Sequence, residues 1–273
     1  MDSKNQQKKE SKKLLSDFLL SLEEKGKMCF ILKDLESLGR SVKSLRMSLW
    51  RLSEKNRIVS PGSDFFVIVP VQYRKVGSPP ALWYLNDWMK FICVDYYVGL
   101  LSAAAIHGAS HQAVQETEVI VGRQIDNRTI DRIRFRFFYR KNVSNTPTQK
   151  WEVPTGYVFV STPAATAIDI VRYMHKIGGP SHVATVLVEL CEKISPEELS
   201  EAILKMAPEI PVLQRLGLIL DIIQQNHLAE VVHKSSLFKA VRFVPLNTQI
   251  PISKKSIHPV WKVYLNDTVE ADL

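Results

Sequence analysis

A chain of 273 residues has room for two domains, and 45% hydrophobic with 23% charged residues is the balance of an ordinary globular protein, not a fibrous or disordered one. Its 36 Lys and Arg against 28 Asp and Glu give a net charge of +8, which points toward a polyanionic partner. Three cysteines, Cys29, Cys93 and Cys191, are odd in number and far apart, which excludes a disulfide framework or a zinc-finger spacing; they read as buried thiols in a reducing cytoplasm.

The opening MDSKNQQKKESKK has no apolar stretch of the kind a signal peptide needs. No later run is long enough to span a bilayer, so the expectation is a cytoplasmic protein without a membrane partner. The opening reads as a basic N-terminal arm, disordered or touching phosphate, before a helix over Ser16 to Glu24.

Cys29 to Pro70 is the most informative stretch. Leu32, Leu35 and Leu38 keep helical spacing and stop at Gly39, a residue suited to the left-handed turn after a helix. Ser41 can cap a second helix whose apolar stripe is Val42, Leu45, Leu49 and Leu52. Turning that helix by about 100° per residue puts Lys43, Met47, Trp50 and Arg51 opposite the stripe, with Ser44 and Arg46 on its flanks. Ile58 to Ser60 and Phe65 to Val69 are β-prone runs around the turn residues Pro61 to Asp64. Helix, turn, helix and hairpin together predict a winged helix-turn-helix that binds double-stranded DNA.

Charge falls in the same place. Residues 1–75 hold 16 of the basic and 9 of the acidic side chains, a net of +7 out of the chain's +8. Arg40 to Arg57 contain six cations and one anion, Glu54. Neutralising phosphates needs such a patch. Arg46 and Arg51 suit bidentate contacts to guanine, and Met47 lies beside them on the base-reading face. Arg40, Ser41, Lys43, Ser44 and Lys55 suit phosphate or the helix start, with the wing at Pro61 to Asp64 resting on backbone. Trp50 has two open readings, stacking on sugar or packing against protein.

Val71 to Pro80 reads as the linker, giving domains 1–75 and 76–273. Beyond it, helices are expected over Leu82 to Phe91 and Tyr96 to His107, then strands over Glu116 to Val121, Asp131 to Tyr139 and Tyr157 to Ser161. Helices follow from Thr162-Pro163 to about Lys176, over His182 to Ile194, from the capping box at Ser195 to Met206, over Pro211 to Gln225 and near Leu228 to Leu237. Val241 to Val244 and Trp261 to Leu265 are strand-like. The expected fold class is α+β, a winged helix-turn-helix followed by a larger α+β domain.

YYVGLLSAAAIHGASHQ from Tyr96, the Arg-rich strand after it, LQRLGLILD at Leu213 to Asp221, and the VPL and WKVYLN pieces near Pro245 and Trp261 resemble the AbiEi-type antitoxins of type IV toxin–antitoxin systems. The resemblance spans most of residues 14–266, with Trp50 standing where such a recognition helix more often has a small or polar residue. It implies a cytoplasmic bacterial autorepressor that binds inverted repeats. It also implies that the C-terminal domain counteracts a nucleotidyltransferase-like toxin without needing a stable complex.

Three other features remain. Arg132, Arg134 and Arg136 alternate with Ile133, Phe135 and Phe137, so strand periodicity puts the guanidiniums on one face, which Arg140 and Lys141 extend. That face is either solvated or the surface for an anionic partner. His107 and His111 are four apart, a zinc spacing on a helix, but Gly108 follows and nothing nearby completes a tetrahedron. They read as a hydrogen-bonding helix-end His and a loop His. No phosphate loop, nucleophile elbow or paired carboxylates stand out, so neither an enzyme nor a cofactor or metal is expected. The competing function is a ligand-sensing winged-helix transcription factor with no toxin.

Overall fold

The computed structural model describes residues 15–109, 115–239, 242–252 and 256–270; the basic arm, His111 and Val241 lie outside them. The chain forms two compact units. The first runs to Val94 and adds Asp126–Arg136 and Trp151–Val158; the second takes Asp95–Ile125, Phe137–Lys150 and the chain from Phe159 on.

In the first unit, helix α1 (15–24) supplies Leu15 and Leu19 to a small core with Phe30, Leu35, Leu45, Leu49, Ile58 and Ile68. Cys29–Ile31 is a strand, β1, where the sequence suggested the start of a helix. Pairing decides it: β1 lies antiparallel to β3 (Phe65–Ile68), with Phe30 opposite and stacked on Phe66 at 5.3 Å. Leu32–Leu38 is a 3-10 helix, whose three-residue period suits leucines spaced by three. It ends on Gly39 at φ 63°, a conformation that favours glycine.

Helix α2 spans Val42–Ser53 and is capped by the Ser41 hydroxyl, which accepts from the Ser44 amide at 3.3 Å. Strand β2 (Ile58–Gly62) then pairs with β3, giving the sheet order β1-β3-β2. Helices and strands in this order are consistent with a winged helix-turn-helix at the start of an α+β chain.

The expected linker is folded into the first unit. Gly77 and Ser78 are buried, and at Gly77 (φ +94°) a Cβ would come within 2.6 Å of the Asp131 side chain. Helix α3 (Leu82–Phe91) buries Tyr84, Leu85, Trp88 and Met89. Tyr84 and Trp88 meet Phe135 edge to face at 5.8 and 5.3 Å, so the compact unit continues past residue 75.

Tyr96 to His107, expected as one helix, divides into strand β4 (Tyr96–Val98) and helix α4 (Leu100–Ile106). The aromatic and β-branched start pairs with β5 (Thr117–Val121), Tyr97 opposite Ile120. At Gly99 between them, a Cβ would meet Ile120 at 3.0 Å. Strands β6 (Arg128–Ile130), β7 (Ile133–Tyr139), β8 (Thr148–Val153) and β9 (Gly156–Ser161) complete a sheet of order β6-β7-β5-β4-β9-β8. Strand β8 was not legible: its sequence TQKWEV is exposed almost throughout, an edge strand with no apolar alternation to read.

Helices α5 (Pro163–Arg172), α6 (Gly179–Cys191), α7 (Pro196–Met206), α8 (Ile210–Ile222) and α9 (Asn226–Lys234) follow. Thr162 caps α5, and the α7 capping box forms in both directions, Ser195 with the Glu198 amide and Glu198 with the Ser195 amide. Three two-residue strands, β10 (Val244–Pro245), β11 (Ile257–His258) and β12 (Val263–Tyr264), close the chain. Burial pushes the Cys191 thiol up to about 12; Cys93 is exposed, against expectation. Among the described residues, no helix is long and apolar enough to cross a membrane.

One face of α8 holds this tail. A Cβ on Gly217 would fall 2.1 Å from the Trp261 ring, so the indole lies directly on the helix backbone. Gln214, one turn earlier, donates to the carbonyls of Arg242 and Trp261, both at 2.9 Å. Asp221, one turn later, accepts from the Trp261 indole N–H. Gly217→Ala is therefore expected to destabilise the second unit by about 1–3 kcal/mol, the cost of overpacking, despite alanine's better helix propensity. Urea unfolding followed by tryptophan fluorescence measures this; an unchanged or raised midpoint would contradict the packing described.

Candidate nucleic-acid interface and a buried charge cluster

Leu45 and Leu49 anchor α2 in the small core and fix its rotation. Val42, assigned to the buried stripe from spacing, is 53% exposed because it lies at the edge of that stripe, in the first helical turn. Lys43, Arg46, Arg51 and Lys55 are exposed, together with Met47 and Trp50. Trp50, 58% exposed, does not pack into the protein's core. Val42, Lys43, Arg46, Met47 and Trp50 line one shallow, open depression of about 630 Å³.

Two cations of this face are already engaged. Arg40 is half-buried, donating to the Ser44 and Ser48 hydroxyls at 2.7 and 3.0 Å, which ties the turn to α2. Arg46 pairs with Asp64 at 3.1 Å, both side chains well exposed. The wing is shorter than the sequence suggested. Pro61 is buried and Gly62 half-buried within β2, leaving Ser63 and Asp64 at the tip. Its carboxylate would repel phosphate were it not held by Arg46.

The arginine strand keeps only part of its expected pattern. Arg132 is exposed in the β6–β7 turn, Arg134 is exposed and Arg136 is half-buried. Phe135 and Phe138 are buried and Phe137 only half-buried, so the buried position changes parity within one strand. Arg140, expected to extend the cationic edge, does not do so: it is 9% exposed and enclosed by polar partners.

Those partners form the buried polar centre of the second unit. Asp169, in an apolar stretch of α5, is fully buried. It accepts from the Tyr97 hydroxyl at 2.6 Å and from Arg172 at 2.7 Å. Arg140 donates to Thr146 at 2.6 Å, to Tyr97 at 3.2 Å and to the Met206 carbonyl at 3.1 Å. Arg172 also reaches the exposed Glu209 at 3.0 Å. Burial pushes the Asp169 carboxyl above its usual range, while the guanidiniums of Arg172 and Arg140 draw it back. Sequence reading missed this cluster; its signal was an Asp and an Arg three apart in a helix whose other residues are apolar except Thr166.

His107 ends α4 and is buried, its Nε2 2.7 Å from the Ser161 carbonyl. Among the described residues, no three His, Cys, Asp or Glu side chains gather as metal ligands.

Residues 97–222, which hold Tyr97, Arg140, Asp169, Arg172 and Glu209, match the model of the AbiEi antitoxin C-terminal domain. The chain is AbiEi-like over that stretch. The AbiEi-like region begins in β4 and ends with α8, so it includes Gly217 but not Trp261. Among solved structures, the RV2827C protein from Mycobacterium tuberculosis has a TM-score of 0.64 at 14% identity, covering 91% of this chain and 89% of that one. At that identity the likeness is one of fold, and it extends across both units. An antigenic nucleotidyltransferase-like protein from Paracoccidioides brasiliensis gives 0.34 at 10% identity, over 57% of this chain and 91% of its own, a score below that of a shared fold. No curated protein matches the chain.

Burial holds the His107 imidazole below its ordinary pKa, with Lys193 acting the same way. The unfolded chain then takes up this proton at a higher pH than the folded one, so stability is present above the unfolded value and lost as pH falls through it. Urea midpoints should be lower at pH 5.5 than at pH 7.5, by a smaller margin in His107→Gln. An equal margin in both would remove His107 as a source.

Proposed function

We propose that this chain is an antitoxin that also represses its own operon. Residues 76–273 counteract a nucleotidyltransferase-like toxin of a type IV toxin–antitoxin system, and residues 1–75 read the operator. The match of residues 97–222 to the AbiEi antitoxin domain is the observation that carries the reading. The exposed cationic face of α2, beside a short hairpin, supports the DNA-reading half.

Arg46, Met47 and Arg51 are assigned to base edges. Arg40, Lys43, Ser44 and Lys55 are assigned to phosphate, with Ser41 at the helix start. Inverted repeats bring two copies of a reader together, so self-association on the operator belongs to the proposal. Arg132, Arg134 and Arg136 are proposed as a surface for an anionic partner; buried Arg140 is not part of it. The protein acts in the cytoplasm, without catalysis, cofactor or a stable toxin complex.

Because the chain returns to the first compact unit at Asp126 and Trp151, point variants are preferable to truncations for separating the two roles. The full chain should rescue cells in which the paired toxin gene is induced, and should silence a reporter driven by its own promoter. The double variant Arg46→Ala, Arg51→Ala should lose silencing and keep rescue. Failure of the full chain to rescue would refute the antitoxin half; undiminished silencing by the variant would refute the assigned DNA face.

In a binding titration, Arg51→Ala alone should weaken operator affinity by about 1–3 kcal/mol. Asp64→Asn should move the opposite way by about 0–1 kcal/mol, since it releases Arg46 and removes an anion, while Asn tolerates the positive φ at this position. Weaker binding by Asp64→Asn would show that the carboxylate positions Arg46 for DNA.

A further inference from the structure

Most of the outward face of α2 is basic, but apolar side chains are interleaved with the cations. Val42, Met47 and Trp50 are 53%, 48% and 58% exposed. A contiguous exposed patch that includes a tryptophan marks a place where something binds. Val42, Arg46 and Trp50 follow one i, i+4, i+8 row, and Lys43 and Met47 the neighbouring one. From Val42 to Trp50 the helix rises by about 12 Å. That length spans three to four base-pair steps at roughly 3.4 Å each.

The occupant is indicated by what surrounds the patch. Lys43 and Arg51 lie beside it and Arg46 stands within it, between Val42 and Trp50, and Arg40 to Arg57 carry six cations against one anion, so it is complementary to a polyanion and ill suited to a basic or neutral partner surface. Within the major groove of DNA, the one apolar group on display is the 5-methyl of thymine. The cations can bind phosphate or base edges while the apolar side chains among them take up methyl groups.

We propose that Val42, Met47 and above all Trp50 determine specificity by packing against thymine 5-methyl groups in the major groove of the operator. This rests on the reading of α2 as a DNA-binding helix and adds to it. The arginines read guanine, and the apolar side chains interleaved with them select thymine. Uracil in place of thymine keeps every hydrogen-bonding group and removes only the methyl, so it isolates the contact. Burying one methyl is worth about 0.8 kcal/mol, roughly a fourfold change in affinity.

The test uses the full chain and a duplex it selects from a random 30-base-pair pool, in fluorescence-anisotropy titrations at fixed salt. Thymines within the protected half-sites are replaced one at a time by deoxyuridine. At least one replacement should weaken binding about fourfold, while the same replacement in flanking DNA has no effect. Trp50→Ala should weaken binding to the thymine duplex and abolish the thymine–uracil difference at the affected position, and Trp50→Phe should keep part of it. Trp50 is largely exposed, so neither variant removes a core residue. Specific binding with thymine and uracil indistinguishable would overturn the inference and leave the DNA-reading function standing. Absence of any selected sequence would overturn both. If Trp50→Ala dissociated an oligomer while preserving the thymine–uracil difference, the patch would be a protein interface and the inference would fail.

Discussion

The rotation of α2 about its own axis is the constraint on which the cationic face of the first unit depends. Two leucines set it. Leu45 and Leu49 enter a core shared with Leu15, Leu19, Phe30, Leu35, Ile58 and Ile68, and each buried leucine contributes about 1.5–3 kcal/mol. Once those two are fixed, helical geometry requires Lys43, Met47, Trp50 and Arg51 to face away from the core. Arg40 bonds to Ser44 and Ser48, and Arg46 to Asp64, so two of the cations on this face are held before any ligand arrives.

In the second unit the comparable element is ionic. Asp169 is fully buried and is held by Arg172 on the same helix and the Tyr97 hydroxyl on β4, with Arg140 alongside. A buried pair of this kind is a poor source of net stability, because desolvation consumes most of the attraction; removing one partner is far more costly than the pair is worth. What it provides is register. Tyr97, Arg140, Thr146 and Met206 belong to separate segments, and their hydrogen-bonding groups are satisfied only when those segments meet α5 in one arrangement. The whole cluster lies in the AbiEi-like region, whereas the Trp261 contact joins that region to residues beyond its end.

Much of the architecture was legible because its signals are local. Gly39 as a left-handed helix stop, Ser41 and Thr162 as caps, and the reciprocal box at Ser195 and Glu198 act within a few residues of themselves. What went unread is non-local. Cys29–Ile31 and Tyr96–Val98 are strands because β3 and β5 lie beside them, and the linker at Val71–Pro80 is packed because Asp131 meets Gly77. In the candidate site, the exposure of Lys43, Met47 and Arg51 followed from the helical period. The Arg46–Asp64 pair and the burial of Arg140 required partners distant in sequence.

The sequence by itself determined the class of the fold, the concentration of positive charge on the first 75 residues, the winged-helix order of elements and the resemblance that points to an antitoxin. Those properties are sums over composition or patterns with a short period, and they do not depend on which segments meet. Tertiary structure decided which arginines are available to a partner, that Trp50 stays exposed, and that Asp169 rather than any surface carboxylate is the ionic centre of the second unit. A side chain's exposure and the cost of its charge depend on everything packed around it, and most of those neighbours lie far away along the chain.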